Sequence, residues 1–105
     1  MNAKAILWVI FAVAALTVQA SASDRFQITV HESNGNNAAN AFVEVWDGGT
    51  RIDSGYTDSN GAFYTWLEKS INYKITASGN GQKGEWPEPN QQGFPVDTEI
   101  HINMH

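Results

Sequence analysis

The stretch Tyr56-Thr57-Asp58-Ser59-Asn60-Gly61-Ala62-Phe63, followed ten residues later by Tyr73-Lys74-Ile75-Thr76-Ala77, decides the fold class of this chain. Asp and Asn side chains bond to neighbouring backbone groups, and glycine adopts a positive φ at little cost. The segment 58–61 therefore predicts a tight reversal. Because apolar and aromatic residues flank this reversal and then recur at 73–77, the segment predicts strand, turn, strand, turn and strand in close succession.

The sequence after residue 22 repeats this pattern of short alternating strands. Phe26, Ile28 and Val30 alternate with polar residues, which marks a strand with one buried face. A second strand is predicted around Val43 and Val45. Further strands are predicted at 50–57, 62–67, 72–78 and 98–104. Because no apolar period of 3.6 persists for ten residues in this part of the sequence, the pattern predicts an all-β sandwich of two sheets packed face to face.

The first twenty-two residues have the order of charge, apolar run and small residues that is typical of a secretory signal peptide. Lys4 precedes the unbroken apolar run 5–16, and the small residues 20–23 follow. A membrane-spanning helix needs about twenty apolar residues, and this run is shorter. The sequence therefore predicts a signal peptide over 1–22 that is cleaved after Ala22, no membrane insertion of the rest, and a secreted or periplasmic protein.

Residues 23–105 are predicted to form a single domain, because chains of this length rarely divide. The sequence contains no cysteine, so the core, the turns or an oligomer must supply the stability that disulfides give to many small secreted domains. Eleven acidic residues face five basic ones after residue 22, a formal charge of −6. Nucleic acids and anionic membranes are poor partners for such a surface.

The segment 79–95 differs in composition from everything around it. It contains all three prolines of the chain and four glycines, it has no β-branched residue, and Trp86 and Phe94 are its large apolar residues. We expect a long loop here. Long loops inside small domains are uncommon and are often functional, so this one is a candidate for contact with a partner. The alternative is a crossover between the sheets, with one of the two aromatic residues closing the end of the core.

The order of these motifs resembles the carboxypeptidase regulatory-like domain family, which is close to Cna-B and transthyretin-like modules. The resemblance covers an opening alternating strand at 26–31, the segment 41–45, the Thr-Asp-x-x-Gly-x-Phe step at 57–63, Leu67, and Tyr-Lys-Ile-Thr-Ala at 73–77. It implies a prealbumin-like Greek-key sandwich of about seven strands. It also implies an accessory, adhesive or ligand-presenting role without catalysis.

Two differences from related families argue against specific chemistry that those families carry out. Cna-B modules that form isopeptide bonds use a buried lysine, whereas Lys69 is predicted in a turn and Lys74 on a polar strand face. The hydroxyisourate hydrolase branch ends in Tyr-Arg-Gly-Ser, whereas this chain ends in His-Ile-Asn-Met-His at 101–105. We therefore expect neither an isopeptide bond nor that hydrolase activity.

The candidate binding residues are aromatic and acidic side chains on the predicted outer strand faces. If Val43, Val45 and Leu67 point into the core, their neighbours point outward and form an aromatic stripe, which suits a protein interface or the stacking of sugar rings. The candidates, including one from the long loop, are Phe42, Glu44, Trp46, Tyr64, Trp66 and Trp86. The alternatives are that the loop covers the stripe, or that the facing of one strand is reversed.

The three histidines are possible metal ligands, but no metal site or cofactor is predicted. His101 and His105 are about 13 Å apart along an extended strand, which is too far to chelate one ion. His31 could approach one of them if the first and last strands are neighbours. The default interpretation is three solvated strand histidines.

Asp53, Asp58 and Asn60 surround a glycine turn and offer oxygen ligands of the kind that calcium binds. Their spacing is not that of an EF-hand, and the turn accounts for these residues without an ion. No catalytic residue is predicted either. The chain has no Gly-x-Ser-x-Gly motif and no cysteine, and a small sandwich offers little room for a cleft.

These observations favour a secreted, non-enzymatic binding module that acts through an aromatic sheet face and the long loop. The expected partner is a protein or another copy of the chain. A small carbohydrate-binding module is the alternative, and an inhibitor of an extracellular enzyme is the second alternative.

Overall fold

The computed structural model describes residues 23–105, which form seven strands and no helix. The strands are β1 (Ser23–His31), β2 (Phe42–Asp47), β3 (Thr50–Tyr56), β4 (Ala62–Glu68), β5 (Tyr73–Gly79), β6 (Gln82–Trp86) and β7 (Glu99–Asn103). Within this range no helix is available that could cross a membrane. The four strands predicted between 50 and 104 are found within one residue of their expected bounds. The predicted signal peptide, 1–22, lies outside the described residues.

The strands form two sheets. One has three strands in the order β4-β1-β7, and the other has four in the order β3-β2-β5-β6. β1 pairs with β7 in parallel and with β4 antiparallel, whereas all neighbours in the four-stranded sheet are antiparallel. The predicted fold class, an all-β sandwich of about seven strands, is confirmed.

The core lies between the two sheets and is built from residues of β1, β2, β4, β5 and β7. Phe26, Ile28 and Val30 of β1 face Val43 and Val45 of β2, as their alternation with polar residues predicts. β4, β5 and β7 add the other strand residues of the buried apolar cluster, Leu67, Tyr73, Ile75, Ala77, Ile100 and Ile102. Most polar residues of these strands consequently point away from the core, and the buried Thr65 of β4 is an exception.

The turn predicted at 58–61 is present. The Asp58 carboxylate accepts hydrogen bonds from the backbone N–H groups of Asn60 and Ala62 at 2.9 and 3.0 Å. Gly61 has a φ of 80°, and a Cβ at this position would lie 2.9 Å from the Cβ of Asn37. Both the backbone conformation and the lack of space therefore require glycine here.

The prediction of one continuous loop over 79–95 is wrong, because Gln82–Trp86 forms strand β6. Asn80 and Gly81 both have positive φ values, 51° and 76°, and form the two-residue connection of a β5–β6 hairpin. Asn-Gly is a strong sequence signal for this turn. β6 itself lacks β-branched residues and a regular apolar alternation, so its strand character comes from pairing with β5.

The two lateral sides of the sandwich differ in whether backbone hydrogen bonds join the sheets. On one side the sheets are joined by backbone bonds, because the Lys83 N–H donates to the His105 carbonyl at 3.2 Å and the His105 N–H donates to the Lys83 carbonyl at 3.0 Å. On the other side, β3 and β4 are the edge strands of their sheets and form no ladder with each other. This open side presents two strand edges to solvent.

Candidate functional site

The candidate aromatic residues lie on two opposite surfaces rather than in one stripe. Val43, Val45 and Leu67 are buried as expected, so their neighbours do point outward. However, Phe42–Asp47 belongs to the four-stranded sheet and Ala62–Glu68 to the three-stranded sheet. The expectation of one shared aromatic stripe is wrong, because alternation along a strand shows which residues point outward and leaves open which sheet the strand joins.

On the four-stranded sheet the outward side chains are partly covered by one another. The Phe42 and Tyr56 rings are tilted against each other with centroids 5.1 Å apart. Glu44 accepts a bond from the Arg51 guanidinium at 2.9 Å, and Trp46 is half-buried. These contacts occupy much of the aromatic and acidic surface that a partner would contact on this sheet.

The long-loop candidate, Trp86, is half-buried and packs against the core from the end of β6. The loop that follows is fixed at Gly93, whose carbonyl accepts from the Tyr73 N–H at 2.8 Å and whose N–H donates to the Asn72 side chain at 2.7 Å. Phe94 and Val96 are its exposed apolar side chains. Trp86 therefore matches the alternative in which an aromatic residue of this segment closes the core.

The outer face of the three-stranded sheet carries the most exposed candidates. Trp66 is 63% exposed and Tyr64 is 44% exposed, so the alternative of burial beneath the loop is wrong for both. The Arg25 guanidinium lies 4.2 Å from the centroid of the Tyr64 ring. The Tyr64 hydroxyl donates to the Gln27 side chain at 3.4 Å. Two aromatic rings, a cation and an amide thus lie next to one another on an open sheet face.

The free edge of β4 runs directly beside these two rings. The Ala62 backbone bonds on the side away from β1, since its N–H donates to the Asp58 carboxylate and its carbonyl accepts from the Asp58 N–H. Backbone groups alternate in direction along an antiparallel strand, so those of Tyr64 and Trp66 point to the same free edge. Among residues 23–105 neither of them has a hydrogen-bond partner there.

Both ends of this free edge are closed. At the beginning, Asp58 occupies the backbone groups of Ala62, as described above. At the end, the Glu68 N–H donates to the Tyr73 hydroxyl at 2.9 Å, and the Glu68 carbonyl accepts from the Ile71 N–H at 3.2 Å. The unpaired length is therefore limited to the N–H and C=O groups of Tyr64 and Trp66.

The neighbouring edge, β3, is better protected. Its Asp53 carboxylate accepts the Ser54 N–H at 2.8 Å and the Thr65 hydroxyl at 2.7 Å. The pairing between β2 and β3 also shifts register between Val45 and Trp46. Charged side chains and bulges are devices that prevent edge strands from pairing with other chains. β4 is consequently the more accessible of the two edges on the open side.

A row of polar side chains continues across the same outer face towards β7. Glu99 accepts a bond from the Thr29 hydroxyl at 2.8 Å, and its carboxylate lies 3.5 Å from Nε2 of His101. Nδ1 of His101 is 2.9 Å from Nε2 of His31. The structure therefore brings together two of the three histidines, which lie 70 residues apart in the sequence.

The third histidine lies elsewhere. His105 lines an open groove of about 720 Å³ beside β6, together with Glu44, Lys83 and Glu88. Within residues 23–105 no three His, Asp or Glu side chains are grouped so as to hold a metal ion. The carboxylates considered for calcium have other partners, as Asp58 caps its own turn and Asp53 binds Ser54 and Thr65.

No family model matches this chain, and no curated protein is similar to it in sequence. Known families and curated proteins therefore add nothing to what the residues and the structure of this chain show about the site. The free edge of β4 and the pair of His31 and His101 were not predicted as such, because both depend on which strands are neighbours. For His31 and His101 the sequence signal was that they lie on the first and last predicted strands. Those two strands are parallel neighbours in the sheet, which brings the two side chains together.

Proposed function

We propose that this protein is an exported, non-enzymatic binding module that associates with a second copy of itself by pairing the free edges of two β4 strands. The observation that carries the proposal is the edge itself. Tyr64 and Trp66 have unpaired backbone groups, both ends of the unpaired length are closed, and the two side chains are exposed. Unpaired strand edges of this kind are templates for pairing with another chain.

The edge is self-complementary. In an antiparallel arrangement centred on Thr65, Tyr64 of each copy lies opposite Trp66 of the other. The two residue pairs then exchange four backbone hydrogen bonds, which uses every unpaired group of both edges. The three-stranded sheets of the two copies become one six-stranded sheet, and two aromatic pairs form across the junction. Cross-strand aromatic pairs contribute roughly 0.2–1 kcal/mol each relative to alanine.

The charge of the chain opposes this association. Two copies of residues 23–105, with a formal charge of −6 each, repel one another over distances of about 10 Å at an ionic strength of 0.1 M. Because added salt screens this repulsion, we expect the dimer to become tighter as the ionic strength rises. A contact that depends on ion pairs between the copies would show the opposite trend.

The test is the mass of the purified protein by size-exclusion chromatography with light scattering. Wild-type protein is expected to be a concentration-dependent dimer, and Trp66→Lys is expected to be monomeric because it places a charge beside the edge. The matched control is Tyr56→Lys, since Tyr56 is 65% exposed but lies on the other sheet. A monomeric wild type at the highest soluble concentration, or a Trp66→Lys variant that dimerises as the wild type does, would refute the proposal.

Carbohydrate binding is a second candidate, favoured by the polar side chains beside the two exposed rings. Gln27 and Glu99 lie in the same row as Tyr64 and offer hydrogen bonds to sugar hydroxyls while a ring stacks on the sugar. Soluble polysaccharides should then quench tryptophan fluorescence in the wild type and in Trp46→Ala, but not in Trp66→Ala. Equal quenching of both variants would exclude this face as a glycan site.

The proposed membership of the carboxypeptidase regulatory-like family and the proposed export both come from the sequence. The first is supported by the two-sheet, seven-strand architecture, and the second by the order of residues in 1–22. Detection of the protein outside the cytoplasm, with an N-terminus near Ser23, would test export directly.

A further inference from the structure

We infer that His31 and His101 together form a binding site for a divalent transition-metal ion that prefers nitrogen ligands, with Cu²⁺ bound more tightly than Zn²⁺. The site lies on the outer face of the three-stranded sheet. It rests on the geometry of the two rings and is independent of the proposed pairing of β4.

The two ring nitrogens are already at the separation that an ion requires. Nε2 of His31 and Nδ1 of His101 are 2.9 Å apart. Imidazole nitrogens bind such ions at about 2.0–2.1 Å, so two nitrogens at a right angle around one ion are about 2.9 Å apart. A right angle is the geometry that Cu²⁺ prefers, and Cu²⁺ also stands highest in the affinity order of the divalent first-row metals.

The rings reach this geometry by side-chain rotation alone. Their planes differ by 12° and their centroids are 5.1 Å apart. With a nitrogen-to-nitrogen distance of 2.9 Å, this means that the rings meet edge to edge in nearly one plane rather than face to face. A hydrogen bond now joins the two nitrogens. For an ion bound to both at a right angle, each nitrogen-to-ion bond lies about 45° from the line between the nitrogens, so both rings must turn by a comparable angle when the ion replaces the hydrogen.

Glu99 selects the tautomer of His101 that the site needs. Its carboxylate lies 3.5 Å from Nε2 of His101 and is itself held by the Thr29 hydroxyl at 2.8 Å. A hydrogen on Nε2 faces this carboxylate, which leaves a lone pair on Nδ1. Metal-binding histidines commonly donate their second ring N–H to a carboxylate, and Glu99 lies at ion-pair distance from the Nε2 that would do so.

When His31 and His101 are both uncharged, binding of the ion releases no proton. In the metal-free pair, Nε2 of His31 carries the hydrogen that is donated to Nδ1 of His101. On binding, His31 changes tautomer, so that its hydrogen moves to Nδ1 and its Nε2 lone pair binds the ion. Neither histidine loses a proton to solvent. Water molecules complete the coordination, since the His101 side chain is 52% exposed.

The backbone keeps the two histidines on one face. β1 and β7 are parallel, with Thr29 opposite His101 and His31 opposite Asn103. The Met104 N–H donates to the His31 carbonyl at 2.8 Å, which fixes the end of this pairing. The two imidazoles are therefore presented together by paired strands rather than by loops.

Isothermal titration of the purified protein with Cu²⁺ and with Zn²⁺ tests the site, and the protein must carry no histidine tag. We expect one Cu²⁺ per chain, and affinity weakened about tenfold or more in His31→Ala and in His101→Ala. His105→Ala is the matched control and should bind as the wild type does. Glu99→Gln should weaken binding about tenfold, because it removes the carboxylate that orients His101.

A second measurement needs no variant. Substoichiometric Cu²⁺ should broaden the amide resonances around His31 and His101 in the NMR spectrum of the wild type, while those around His105 stay sharp. Absence of Cu²⁺ binding by the wild type would overturn the inference. Unchanged affinity in both His31→Ala and His101→Ala, or broadening centred on His105, would overturn it as well.

Discussion

Asp53 of β3 accepts a hydrogen bond from the Thr65 hydroxyl of β4 at 2.7 Å, and this bond joins the two sheets on the side where their backbones do not pair. The other oxygen of the same carboxylate accepts the Ser54 N–H at 2.8 Å. One side chain thus connects the open edges and occupies a backbone donor of β3. The β4 edge has no equivalent protection at Tyr64 and Trp66.

Replacing Asp53 should therefore destabilise the fold. In Asp53→Ala the Thr65 hydroxyl, buried at 3% exposure, loses its partner, and we expect the free energy of unfolding to fall by about 1–3 kcal/mol. Urea unfolding measures the change. Asp47→Ala, at the exposed last position of β2, is the control and should stay within about 0.5 kcal/mol of the wild type. An unchanged urea midpoint in Asp53→Ala would show that the bond contributes nothing.

Gly84 should not tolerate a side chain. A Cβ there would lie 2.6 Å from the Asn103 carbonyl oxygen, where β6 approaches β7. Because backbone rather than a flexible side chain must move, we expect Gly84→Ala to lower the free energy of unfolding by about 1–3 kcal/mol.

The matched control for this change is Gly79→Ala. Its Cβ would lie 3.5 Å or more from Ala41, which is an ordinary contact, so no loss is expected. Alanine restricts the unfolded chain and should raise the free energy of unfolding by roughly 0.4–1 kcal/mol. Thermal unfolding of the two variants side by side measures both effects. Equal melting temperatures would show that β6 and β7 can separate without cost.

Thr57 holds the connection between β1 and β2 against the end of β3. Its buried hydroxyl donates to the Ala38 carbonyl at 2.5 Å and accepts the Ala41 N–H at 2.8 Å. Thr57→Val keeps the shape of the side chain but leaves both backbone groups without a partner, so we expect a loss of about 1–3 kcal/mol.

Hydrogen exchange gives a local measure of the Thr57→Val effect. The Ala41 amide should exchange faster relative to other core amides, because its acceptor is gone. Thr50→Val, at an exposed position of β3, is the control and should leave the protection of Ala41 unchanged. Retained protection of Ala41 in Thr57→Val would mean that another acceptor replaces the hydroxyl.

Much of the local structure could be predicted from the sequence. The alternation at Phe26, Ile28 and Val30 identified a strand and its buried face, and Asp58 and Gly61 identified a turn that the structure confirms. Strand β6 was missed, although Asn80-Gly81 was a usable hairpin signal. Its own residues have no alternation to reveal a strand.

The candidate site was predictable only in part. The sequence correctly indicated that Trp46 and Trp66 point away from the core, but only the tertiary structure shows that they lie on opposite sheets. In the same way, the pairing of His31 with His101 depends on β1 and β7 being parallel neighbours. Local preferences determine the strand bounds, the facing and the turns, because they act between residues close in the chain. The order of strands, the free edge and the histidine pair depend on how distant segments pack, and only the folded chain decides them.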